Sequence, residues 1–228
     1  MPAPDATPTP SLWRAPAPVF IRLLFGLALF GFGEAMLVAS DLGVSPWTVF
    51  AEGVSVNTPM SVGAATVATS GVVLLLWIPL RQLPGLGTIA NAVVIGVAID
   101  IALLVLPEDP SVGVGIPLVV AGVAFVATGS GFYLTAALGP GPRDGLMTGL
   151  NRRAGVSLRA ARAGIELTVL LIGFALGGTV GLGTVAFALA IGPGVQLAVS
   201  RLSTPRWERL VRFGRARAIG AEPARPSS

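Results

Sequence analysis

Three carboxylates, Glu34, Asp100 and Glu166, stand inside long apolar stretches of the chain. A charge held in a hydrocarbon interior costs on the order of 3 kcal/mol or more, so such acids are either paired or used to pass a proton or cation. Asn91 and Gln196, also embedded in apolar sequence, would add uncharged polar contacts to a substrate or ion path. Arg162 precedes Glu166 by four residues, one helical turn, so that pair can instead neutralise itself. Glu34 and Asp100 have no arginine near them in sequence and are read as functional.

Other chemistry has few players. The chain holds no cysteine and no histidine, and all fifteen of its basic residues are arginine. Thiol nucleophiles, imidazole bases and the usual metal ligands are therefore missing, and no Ser/Lys pair stands in for them. We expect no enzyme, no cofactor and no metal. The glycine-rich segments "GLGT" and "GPGPRDG" are weak phosphate-loop matches, because neither sits in a strand-to-helix unit and no lysine accompanies them.

The elements that must position the acids follow from composition. Of 228 residues 53% are hydrophobic and only 11% charged, and the mean hydropathy is +0.81, outside the range of soluble globular chains. Six apolar runs, 19–40, 61–80, 86–106, 116–138, 158–177 and 182–200, are each about long enough to cross a bilayer. They lack the alternating polarity of barrel strands, so all six are expected to be helices. The fold expected is an all-α polytopic membrane protein. Residues 1–18, rich in proline, alanine and threonine, read as a disordered tail. The "VAS" at 38–40 resembles a signal-cleavage site, but the run before it is too long and contains Glu34, so the first span is expected to be retained.

Arginine placement sets the orientation, since Arg-rich loops stay cytoplasmic. Arginines flank the first span, the loop after the second, the loop after the fourth and the tail, whereas the loops holding Asp41, Glu52, Glu108 and Asp109 have none. Both termini are expected in the cytoplasm. The basic tail, 203–228, puts Trp207, Leu210 and Val211 on one helical face among arginines, as in an amphipathic helix drawn to anionic lipid headgroups. The positive charge is explained by topology, and no nucleic-acid partner is expected.

One segment is written twice. "GLGTIANAVVIG" at 85–96 and "GLGTVAFALAIG" at 181–192 share eight of twelve letters at an offset of 96 residues (Gly181 against Gly85). The same offset, without a gap, sets Gly26 on Gly122, Gly33 on Gly129, Leu42-Gly43 on Leu138-Gly139, Pro46 on Pro142 and Ser61 on Ser157. The natural reading is an internal duplication with units 19–106 and 107–202. Three spans per unit is an odd number, so the second copy must thread the membrane in the opposite sense. Inverted three-plus-three repeats recur in secondary transporters, where the halves rock around a midplane site. Under the offset Glu34 meets Ser130, Asp100 meets Gln196 and Glu166 meets Ser70, so corresponding positions are expected to line one internal surface.

A second repeated feature is "LGVSPWTVFAEGVS" at 42–55 against "LGPGPRDGLMTGLN" at 138–151. Gly43 with Pro46, and Gly139 with Pro142, read as a break followed by a short helix, with Ser45 as cap of the first and Asp144 in the first turn of the second. Such helices either re-enter the membrane with amide-rich N-termini pointing inward, or lie flat at the interface, anchored by Trp47 and by Arg152-Arg153. "GFALG" at 173–177 and "GGTVG" at 177–181 follow the small-xxx-small pattern of close helix packing.

The blocks "GEAMLVASDLGVSPWTVFAEGVS", "GLGTIANAVVIGVAID", "LGPGPRDGLMTGLNRRAGVSLRAARAGIEL" and "GGTVGLGTVAFALAIGP" together resemble the YczE/YyaS/YitT group of bacterial integral membrane proteins, nearest its YczE branch. The resemblance covers 21–202 and implies a bacterial inner-membrane location without implying a substrate. In that pattern the first copy also carries an aspartate after Pro-Trp; here the position is Thr48, and only Asp144 keeps the acid.

Two classes of function follow. The first is a small secondary transporter or exporter of a small molecule or ion, using Glu34, Asp100, Asp144, Glu166, Asn91, Gln196 and Thr48. The second is a non-transporting membrane factor that assembles with or regulates a partner protein.

Overall fold

The computed structural model describes residues 12, 13, 15–204 and 211. Eight helices follow one another: α1 (Ala17–Ala39), α2 (Pro46–Val56), α3 (Val62–Leu80), α4 (Leu86–Leu103), α5 (Val112–Ala136), α6 (Pro142–Ala154), α7 (Leu158–Ala175) and α8 (Leu182–Leu202). Among the described residues there is no strand.

Five of these, α1, α3, α4, α5 and α8, are long and apolar enough to cross a membrane. The count falls one short of the six expected. The remaining segment, α7, is an 18-residue helix, but Arg159, Arg162 and Glu166 crowd its first half, more charge than any of the other five carries. The fourth span starts earlier than the sequence suggests, at Val112 rather than at 116, so Pro117 lies inside the helix, where it removes one i→i−4 hydrogen bond. The short helices after Pro46 and Pro142 are both present, Ser45 accepts the Thr48 N–H as cap, and Asp144 lies in the first turn of α6. The basic tail beyond 204 lies, apart from Val211, outside the described residues, as does most of the first tail.

The 96-residue spacing reappears in the backbone. Helices start at Pro46, Val62 and Leu86, and again at Pro142, Leu158 and Leu182. Left-handed residues recur in step: Asp41 (φ 53°) with Ala137 (54°), Gly43 (105°) with Gly139 (118°), and Arg81 (49°) with Gly177 (94°). Gly177 thereby ends α7 and belongs to a turn, so "GGTVG" is a linker and not the helix-packing motif expected of it.

At the centre α1 crosses α5. Gly26 and Gly33, seven residues apart and so on one face of α1, meet Gly129 and Gly122 of α5. Backbone touches backbone there, as small residues allow in membranes. Around this crossing α4 packs on α1 and α8 packs on α5, while α2 rests on α7 and α6 on α3. Leu23, Leu27, Ala35 and Leu37 of α1 are fully buried, which places α1 at the core of the bundle. The peripheral helices instead turn side chains such as Leu75, Ile101, Leu171 and Leu189 outward, as a lipid-facing surface requires.

A Cβ at Gly129 would lie 2.5 Å from the Gly26 carbonyl oxygen, and one at Gly33 would lie 2.7 Å from that of Gly122. Gly129→Ala and Gly33→Ala are each expected to destabilise the protein by about 1–3 kcal/mol, read as a lowered unfolding midpoint of the purified chain. Gly71→Ala, with nothing within 4 Å of its Cβ, should leave the midpoint unchanged or raise it.

Candidate functional site

Each span-to-short-helix break is clasped by the other copy of the repeat. The Gly183 N–H donates to the Leu42 carbonyl at 2.7 Å, and the Gly87 N–H donates to the Leu138 carbonyl at 2.9 Å. Thr88 Oγ1 accepts the Gly85 N–H at 3.0 Å and donates to the Pro140 carbonyl at 2.7 Å, while Thr184 Oγ1 accepts the Gly181 N–H. The repeated "GLGT" therefore supplies donors to chain that has left a helix and would otherwise carry unpaired carbonyls. Nothing in local sequence marks this use of the motif, because each clasp joins residues far apart in the chain.

The clasps aim the N-termini of α2 and α6 into one cavity of about 340 Å³. Of the residues singled out in sequence, Glu34, Thr48, Asn91, Pro142, Asp144 and Gln196 line it. Gly43, Pro46 and Gly139 shape the breaks behind it. Residues from both halves meet there in corresponding pairs, among them Thr48 with Asp144, Glu34 with Ser130 and Ile95 with Ile191.

Two carboxylate–hydroxyl pairs face this space. Glu34 on α1, 3% exposed, accepts from Thr48 Oγ1 at 2.8 Å, and Ser45 Oγ donates to Thr48 Oγ1 at 3.1 Å. In the other half Tyr133 on α5 donates to Asp144 Oδ2 at 3.1 Å and accepts the Gly141 N–H at 2.6 Å. Thr48 and Asp144 are third residues of their short helices, so each short helix makes a carboxylate–hydroxyl contact at that position, as donor in one half and acceptor in the other, although Glu34 and Tyr133 are not counterparts. Tyr133 was not singled out in sequence, although the single tyrosine of the chain, placed inside an apolar run, was the available signal.

Two arginines add positive charge to the wall. Arg143 Nε lies 3.8 Å from Asp144 Oδ1, and Arg162 Nε bonds Glu166 Oε1 at 3.1 Å. Glu166 does not line the cavity; it is the self-neutralising partner of Arg162. Asp100 is also elsewhere. Its carboxylate accepts from Ser61 Oγ at 2.6 Å and from the Gly63 N–H at 2.8 Å, fastening the start of α3 to α4. Its counterpart Gln196 does reach the cavity.

The short helices are held from outside as well. Trp77 Nε1 donates to the Pro142 carbonyl at 2.9 Å, below α6. Glu52, expected in a loop, is a buried residue of α2 and accepts the Thr179 N–H at 2.8 Å. Burial pushes the Glu52 carboxyl above its ordinary pKa, and the hydrogen bond from Thr179 opposes the shift. The cavity wall thus carries acceptors and donors contributed by both halves.

The family profile described as "Family of unknown function (DUF6198)" matches residues 19–200. An uncharacterized protein of Haemophilus influenzae is 40% identical over 186 residues, 82% of this chain and 85% of its own length. The "Uncharacterized membrane protein YczE" of Bacillus subtilis is 30% identical over 203 residues, 88% and 92% of the two chains. No solved structure matches.

Tyr133→Phe leaves the buried Gly141 N–H without its acceptor, and Thr48→Val removes the donor to Glu34. Each is expected to lower stability by about 1–3 kcal/mol, read by thermal unfolding of the purified protein. An unchanged midpoint in both variants would show that these bonds do not hold the short helices.

Proposed function

The chain belongs to the DUF6198 family of YczE-like membrane proteins, and on that premise we propose that it is a small secondary transporter that carries a small molecule by alternating access. One observation carries the reading: a single polar cavity takes residues 96 positions apart from both halves and receives the N-termini of two short helices. Inverted-repeat transporters place substrate at such a junction, where one half moves against the other.

In this reading the two halves cross the bilayer in opposite senses and α7 is the sixth span. Its 18 residues extend about 27 Å at 1.5 Å per residue, close to the hydrocarbon thickness of about 30 Å. Its charges sit toward its N-terminal end, beside the Arg-rich α6–α7 segment, and that end faces the cytoplasm with both termini. The membrane is the bacterial inner membrane, and the arginine-rich tail rests on anionic lipid.

Glu34 is the group that takes up and releases the coupling proton, and Thr48 and Ser45 hold its carboxyl when the cavity is empty. Asp144, Tyr133 and Arg143 bind substrate from the second half, with Asn91 and Gln196 supplying neutral contacts. Asp100 acts on the rocking motion through the α3–α4 fastening and does not touch substrate.

The cysteine-free chain allows a direct topology test. Thr58, two residues beyond the end of α2, and Ala154, the last residue of α6, are both exposed and 96 residues apart. Thr58→Cys should react with a membrane-impermeant maleimide in intact cells, and Ala154→Cys only after permeabilisation; reaction of both from one side would end the inverted arrangement. In proteoliposomes, Glu34→Gln and Asp144→Asn are each expected to lower pH-gradient-driven flux at least tenfold. Flux unchanged by the two together with Asp100→Asn would overturn the mechanism, and loss of function on tail deletion alone would favour a partner-binding factor.

A further inference from the structure

The polar cavity has a neighbour across one of its walls. A second cavity of about 500 Å³ adjoins it, and the two share Trp47, Thr69 and Val73 as lining. The second is apolar and lies between α3 and α7, under α2. It is built in corresponding pairs, Ala68 with Gly164, Val73 with Val169 and Leu76 with Ile172. The α3 positions follow one another at helical spacing and form one stripe. From residue 68 to residue 76 that stripe runs about 12 Å at 1.5 Å per residue. Val72, Leu76 and Ile172 stay exposed along it, so the groove opens to surrounding lipid.

The shared wall carries an unused donor. Trp47 Nε1 is buried and has no hydrogen-bond partner among the described residues. Trp47 and Arg143 are counterparts, each the second residue of its short helix and each on the polar cavity. Beside them stand the carboxylates Glu34 and Asp144. The polar chamber thus offers two donors for an anionic group and two acceptors for a cationic one, with an apolar groove leading away.

We propose that the ligand of this site is a zwitterion bearing an unbranched apolar tail, its ammonium held by Glu34 and Asp144, its carboxylate by Arg143 and Trp47 Nε1, and its tail laid between α3 and α7. The proposal rests on the polar cavity being the substrate site and deepens that reading by naming the ligand class. The adjacency of the two cavities, which share Trp47, Thr69 and Val73 as lining, selects a tail attached to the bound head rather than a free lipid chain.

Gly164 gives the test its handle, because a Cβ there would meet nothing within 4 Å. Gly164→Phe therefore sets a ring on the groove lining from a Cβ that presses on no protein atom. The probes are linear 2-amino acids of about four to ten carbons, titrated calorimetrically into the full chain in lipid nanodiscs. Each methylene is expected to tighten binding about fourfold until the groove is full. Gly164→Phe should remove that gain and leave the shortest member's affinity unchanged. Affinity independent of tail length, as when bilayer lipid occupies the groove, overturns the proposal, as does equal weakening of every member or no binding at all. Binding in the expected pattern without flux in liposomes keeps the ligand class and removes the transport reading; flux of another solute without binding of the series does the reverse.

Discussion

A buried chain that leaves a helix has carbonyls and amides that must find partners elsewhere in the protein, and the rest of this structure depends on how that need is met. The carbonyls of Leu42 and Leu138, where the first span of each half breaks, accept from Gly183 and Gly87 of the other half. Neither half completes its own break. The short helices α2 and α6, and with them Thr48 and Asp144, are placed only once both copies have folded together. Gly43 and Gly139 make the breaks possible by taking positive φ, a region that costs glycine little.

The second constraint is the glycine-lined crossing of α1 and α5, which sets Gly26 on Gly129 and Gly33 on Gly122. The crossing brings Glu34 and Tyr133, one from each central helix, to the same cavity. Backbone contact of this kind tolerates no side chain, so the spacing of small residues in α1 and α5 follows from the close approach.

Correspondence between the halves is not identity, and the departures have physical content. Gly63 lets α3 approach α4 closely beside Asp100, whereas the matching position in α7 is Arg159 and the matching acid is Gln196. The fastening of α3 to α4 has no equal between α7 and α8, which do not pack closely. Likewise Glu34 is an acid whose counterpart is Ser130, and Thr48 a hydroxyl whose counterpart is Asp144, so each half presents one carboxylate from a different helix.

Much of this was legible in the order of residues. Hydropathy marked the spanning helices, the offset of 96 residues marked which positions correspond, and Gly43-to-Pro46 and Gly139-to-Pro142 marked the breaks, because each rests on composition or local backbone preference. Family membership, too, followed from those blocks. What the order of residues did not hold was the use of each acid: Asp100 bonds the start of α3, Glu166 turns to Arg162, and Tyr133 joins Asp144. Those outcomes depend on contacts between residues brought together by the crossing of α1 and α5 and by the exchange of hydrogen bonds between halves. A buried acid announces itself in sequence through the cost of its charge, but its partner is chosen by distance in three dimensions, and only the tertiary structure fixes that.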